Sequence, residues 1–112
     1  MAITAKKLGQ TALNVSGSVV TIVTGVTGGH TEITGLWLAN TSSSSRTVTI
    51  LAHGTGTTST YMLIPAKVLA AYESLYIQMN GSPIILNATE TLRGYQDTGT
   101  DVVVTAYGVE EV

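Results

Sequence analysis

Two histidines, seven acids, five bases, five tyrosines and one tryptophan are the side chains from which any site in this 112-residue chain would have to be built. There is no cysteine, which removes thiolate metal sites, iron–sulfur clusters, a cysteine nucleophile and a disulfide framework together. His30 and His53 each lie beside a glycine turn. Acid–base or metal chemistry needs convergent partners, and neither histidine adjoins another histidine or a pair of carboxylates, so both read as turn residues. The glycine-rich stretch 53–58 (HGTGTT) could aim backbone N–H groups at an oxyanion. It lacks the G-x-S-x-G elbow that would supply a nucleophile, and also the G-x-x-x-x-G-K-[ST] spacing of a phosphate cradle. Asp97 and Asp101 could offer oxygens to calcium, but a calcium site takes about six to eight, so a polar hairpin turn is the better reading. Asn14, Asn40, Asn80 and Asn87 match the glycosylation pattern, as chance allows in a chain so rich in Ser and Thr. No catalytic residue, cofactor-binding residue or metal ligand is expected, and the chain does not read as an enzyme.

The aromatic side chains point to recognition instead. Trp37 sits between Leu36 and Leu38, where core packing is the first expectation and an interface anchor the second. Tyr72 and Tyr76 alternate with polar residues, which predicts an outward stripe able to bury against a neighbouring subunit or stack on a sugar. Subunit contact is favoured, because a sugar site would add acidic or amide groups around the ring.

The charge content supports that choice. Only 11% of residues are Asp, Glu, Lys or Arg, against about 25% in a typical soluble domain. Net charge is −2 and the cations are scattered apart from the Lys6-Lys7 pair, which leaves no footprint for nucleic acid or an anionic membrane. Threonine fills nineteen positions and mean hydropathy is +0.32, so polar duty falls on uncharged β-branched residues. A surface so poor in charge tends to self-associate. Residues 1–10 (MAITAKKLGQ) hold no hydrophobic run of signal-peptide length, and no stretch approaches the roughly 18 apolar residues of a membrane helix.

The elements that would position these residues are strands. Alternation marks 18–24, 31–40, 46–52, 60–64, 72–79, 84–86, 91–95 and 101–108, with turn signals between them. The apolar phase changes at Gly35, which predicts a bulge there. The 31–40 and 46–52 strands are expected to form a hairpin across the serine loop 41–45, Pro65 is expected to end its strand, and 67–71 is open to helix or strand. Asn80-Gly81 reads as a tight turn. The expected fold is all-β, a single antiparallel sandwich of jelly-roll type with about eight strands. Residues 1–10 form an N-terminal arm or first edge strand, and 11–112 the sandwich.

Four segments, KLGQ (7–10), ITGLWLANTSSSSRTVTI (33–50), LAAYESLYI (69–77) and DVVVTAYGVEE (101–111), follow one another in an order that resembles small virion structural proteins of tailed bacteriophages. The resemblance implies a non-enzymatic particle component assembled in the bacterial host cytoplasm. A capsid decoration (cement) protein is the first expectation; a tail, neck or head-fibre component, or a carbohydrate- or receptor-binding sandwich, is the alternative. The implied partners are further copies of the chain, as a homo-oligomer such as a trimer, together with the major capsid protein or other virion proteins. The arm 1–8 and the tail 109–112 are expected to reach across to neighbours, with Met1, Ile3, Lys6, Lys7, Trp37, Tyr72, Tyr76, Glu110 and Glu111 as interface residues.

Overall fold

A computed structural model of the chain describes residues 3–54, 61–79 and 81–112. Met1, most of the glycine-rich loop and the Asn80 side of the expected tight turn lie outside the described residues. Nine strands are described: β1 (Ile3–Ala12), β2 (Val20–Thr24), β3 (His30–Asn40), β4 (Arg46–Ala52), β5 (Met62–Leu69), β6 (Ser74–Gln78), β7 (Ile84–Asn87), β8 (Thr91–Gln96) and β9 (Val102–Glu111). They form two antiparallel sheets, one ordered β1-β9-β3-β6 with β7 also paired to β3, the other ordered β2-β8-β4-β5. The all-β sandwich read from alternation is therefore the fold. Its inward positions, among them Leu13, Ile33, Leu36, Leu38, Ile50 and Val104, are fully buried in one core.

Gly35 marks the phase change as expected. Ile33 pairs with Gly108 and Gly35 with Tyr107, so Thr34 is the extra residue and the inward set moves from Thr31 and Ile33 to Leu36, Leu38 and Asn40. The hairpin across the serine loop does not form. β3 and β4 belong to different sheets, and residues 41–45 arch from one to the other. The arch is held by Asn40, which is nearly fully buried. Its amide Nδ2 donates to the carbonyls of Ser44 (2.9 Å), Leu69 (3.3 Å) and Ala70 (3.0 Å), and its Oδ1 accepts from Ser42 N–H (2.9 Å). One side chain thus satisfies backbone groups of both the 41–45 arch and the β5–β6 connection, where backbone polar groups have no ladder to join.

Other expectations are corrected. Pro65 does not end its strand: β5 continues to Leu69, because it is an edge strand in which the missing N–H costs no ladder bond. The register with β4 skips from Ile64 to Lys67 there, with Ala66 at φ 48°. Residues 67–69 are accordingly strand and not helix. The strand expected from residue 18 starts at Val20, after a single 3-10 turn at Ser16–Ser18. The described parts of both segments expected to reach across, from Ile3 and through Glu111, are paired within the sheet. Ile3 to Ala12 is an edge strand, crossing the division placed after residue 10, and β9 runs through Glu111 between β1 and β3.

The remaining connections are closed by polar side chains. Gln96, fully buried, accepts Val102 N–H at 2.9 Å and donates to Thr98 O at 2.6 Å, fixing the β8–β9 turn. Arg46 reaches the same turn with two nitrogens on Asp101 Oδ2 (2.9 and 2.7 Å), while Asp97 Oδ1 accepts Thr47 N–H. Glu90 accepts Asn87 N–H at 2.8 Å between β7 and β8, and this hydrogen bond, with His53 nearby, holds its carboxyl below its ordinary range.

Two outcomes follow from these contacts. Asn40→Ala removes the partner of the buried Leu69 carbonyl, of the part-buried Ser44 and Ala70 carbonyls and of the Ser42 N–H, and is expected to cost about 3 kcal/mol, read as a lower urea midpoint at unchanged m. A loss under about 1 kcal/mol would show that the arch is held elsewhere. Because the Glu90 carboxyl titrates lower in the folded chain than in the unfolded one, its contribution is present above the ordinary carboxylate value and is lost as pH falls from there through the lowered folded value. Wild type and Glu90→Gln should therefore differ in stability at pH 7 and converge on acidification. A gap that stays constant down to pH 3 contradicts this origin.

Candidate interaction face

The outward face of the five-stranded sheet is set by register. Reading across β1, β9, β3 and then β6 or β7, successive outward rows are Ala12–Val103–Ala39–Ser74, Gln10–Thr105–Trp37–Tyr76 and Lys7–Tyr107–Gly35–Gln78. Two more follow toward the other end, Ala5–Val109–Glu32–Ile85 and Ile3–Glu111–His30–Asn87. With strands about 4.8 Å apart and rows about 7 Å apart, these rows span roughly 400 Å², polar and apolar positions together.

Three aromatic side chains occupy its middle. Trp37 and Tyr76 are each 42% exposed and Tyr107 39%. Trp37 therefore does not pack in the core: Leu36 and Leu38 take the inward positions, and parity turns the indole outward. Its ring centroid lies 4.8 Å from that of Tyr76 at 44°, a tilted contact that orients both rings. Tyr76 lies over Gly35, where any Cβ would overlap the Tyr76 hydroxyl and ring. The glycine that absorbs the bulge thus also seats the aromatic pair. Alongside, Gln10 Nε2 donates to Thr105 Oγ1 at 2.9 Å, tying β1 to β9 across the face.

Of the expected interface residues, Ile3, Lys7, Trp37, Tyr76 and Glu111 share this face. Lys6 and Glu110 do not. They point to the opposite side of the sheet, where they form an ion pair at 2.7 Å. Tyr72 is not part of a stripe with Tyr76, because it sits in the turn before β6 at φ 59°, its N–H on Ser42 O. Tyr107 takes the place expected for it. The alternation Val103, Thr105, Tyr107 along the closing strand carried that signal, once the strand's outward parity is known.

At the far row, His30 Nε2 lies 2.9 Å from Glu32 Oε2 and 3.3 Å from Glu111 Oε2. The fold brings to His30 the pair of carboxylates that its neighbours in sequence do not supply. His30 and Glu32 are two residues apart, which on a strand is the same face, and Glu111 is the cross-strand partner of His30. Asp97 and Asp101 do not converge on a common point; each is engaged with β4, through Thr47 N–H and Arg46 respectively. His53 Nδ1 stands 3.5 Å from Glu90, at a half-exposed position. No cavity opens among the described residues.

Gly35→Ala should push the Tyr76 ring off its seat and away from Trp37. The expected result is a changed Trp37 emission spectrum with a stability loss of about 1 kcal/mol, confined to the face because the Cβ points outward. An unchanged spectrum would mean that the ring pair does not depend on this seat.

Comparison with protein-family models, with curated proteins and with solved structures finds no match to this chain.

Proposed function

We propose that this chain is a non-enzymatic structural protein of a tailed-phage virion, a capsid decoration protein that binds neighbouring subunits through the outward face of its five-stranded sheet. The observation that carries the reading is the cluster of Trp37, Tyr76 and Tyr107 in two adjacent rows of the sheet face, rows whose one charged residue is Lys7. Aromatic side chains bury large area at low entropic cost, and they are enriched at interface centres where Lys, Glu and Asp are depleted. A surface with 11% charged residues in the whole chain has little else to keep such a face solvated. The virion assignment rests on the sequence resemblance; the face supplies a physical means for it.

The experiment pairs light scattering on the purified chain with mass spectrometry of purified particles. Wild type should be oligomeric at micromolar concentration and present in many copies per particle. Trp37→Ser/Tyr107→Ser, with an unchanged far-UV spectrum, should be monomeric and missing from particles. A monomeric wild type that no particle contains would end this reading, and a Trp37 emission change on adding oligosaccharides would favour glycan binding by the same face.

A further inference from the structure

The geometry points to a binding site for a divalent transition-metal ion, of the zinc class, formed by His30, Glu32 and Glu111. The three donors are His30 Nε2 and one carboxylate oxygen each from Glu32 and Glu111, and all lie within 4.8 Å of one another. Two ligands at about 2.1 Å from a tetrahedral zinc are about 3.4 Å apart. The His30 Nε2 distances of 2.9 and 3.3 Å to the two oxygens fall just short of that value. Small side-chain rotations would bring all three onto one ion.

The scaffold makes the arrangement more than a surface cluster. His30 is held in register on both sides, opposite Glu111 in β9 and Asn87 in β7. Glu111 is itself between two ladders, opposite Ile3 in β1. Gly29, immediately before His30, packs so closely on the Glu111 carbonyl that a Cβ would overlap it. The ligands therefore come from two neighbouring strands that cannot slide, with the His-x-Glu pair on one face of β3.

Electrostatics favours a cation there. Two carboxylates converge on one imidazole nitrogen, which can hold a single proton and cannot donate well to both. Lys6, the cation closest in the chain to this row's Ile3, is paired with Glu110 on the other side of the sheet. The side chains are only 32%, 28% and 21% exposed, enough to limit solvation while leaving the ion open to water on its outer side. One nitrogen and two carboxylate oxygens suit zinc or its first-row neighbours, whereas calcium and magnesium favour all-oxygen shells. The ion would clamp β3 to β9 at the charged end of the face, with its open position turned outward.

Titration calorimetry of the whole chain, stripped with EDTA, against zinc chloride at pH 7.5 tests the site. One ion should bind per chain, with melting temperature raised by at least about 4 °C at saturation. Cobalt(II) should give the visible bands of a low-coordinate site, and affinity should fall as pH is lowered to 5.5 because protons compete for the donors. His30→Gln and Glu111→Gln should each weaken binding at least tenfold. Glu110→Gln, the adjacent acid facing the other way, should leave it unchanged. No saturable binding by the folded wild type, or zinc binding that survives His30→Gln at full affinity, would overturn the proposal.

Discussion

The closing strand β9 is hydrogen-bonded along both edges, to β1 and to β3, over ten residues, and the register of those two ladders fixes nearly everything else. Its inward residues Val102, Val104 and Ala106 are fully buried, while its outward ones supply Thr105, Tyr107, Val109 and Glu111 to the exposed face. A slip of one residue would exchange the two sets, placing Tyr107 and Glu111 in the core. The burial of three apolar side chains on one side is therefore what locates the aromatic row and the His30 cluster on the other. Since β9 joins the two ends of the chain, this registration is non-local, and the five-stranded sheet cannot be completed until its last strand is in place.

Two bulges adjust the strands on either side of β9 at nearly the same height. In β1 the register shifts between Lys7 and Gly9, opposite Tyr107 and Ala106; in β3 it shifts between Ile33 and Gly35, opposite Gly108 and Tyr107. Each inserts a residue, Leu8 or Thr34, and each increases the local twist of its strand. Leu8 turns toward the core and packs against it, whereas Thr34 is exposed with its hydroxyl on the Tyr107 carbonyl. The paired bulges let both neighbours follow the central strand and leave Tyr107 between Lys7 and Gly35, partly exposed.

What could be read from the sequence follows the range of the interaction. Strand positions and the Gly35 phase change depend on residues within a few places of each other, and alternation exposed them directly. Five polar residues between two alternating strands look the same in sequence whether they form the β3–β4 arch or a hairpin. The deciding contacts, Asn40 to Leu69 and Ala70 and Arg46 to Asp101, come from far along the chain. Whether Pro65 ends a strand depends on whether that strand is an edge, which only the sheet order decides. The metal-ligating set is half local: His30 and Glu32 follow from strand periodicity, but Glu111 enters only through pairing with β9. The leucine neighbours of Trp37 suggest a core indole, whereas strict alternation after the bulge turns it outward.

For the association proposed above, the edges at β1, β2 and β5 favour the face over strand addition. An exposed edge is a template for another chain, and natural sheets blunt it with lysine, proline, bulges or shortness. β1 carries Lys6, Lys7 and the Leu8 bulge. On the opposite sheet, β5 carries Pro65 and Lys67 with a broken register, and β2 has only five residues with a register shift of its own. Charges scarce elsewhere in the chain are thus spent where they prevent ladder extension. Solubility alone would place them on the broad outward rows of the five-stranded sheet as well, yet those rows hold Trp37, Tyr76, Tyr107 and Val103, and their acids are gathered at one end beside His30. Guarded edges combined with an unguarded aromatic plane favour a contact that is limited in extent and fixed in orientation, since a face pairs with one partner where an open edge would propagate.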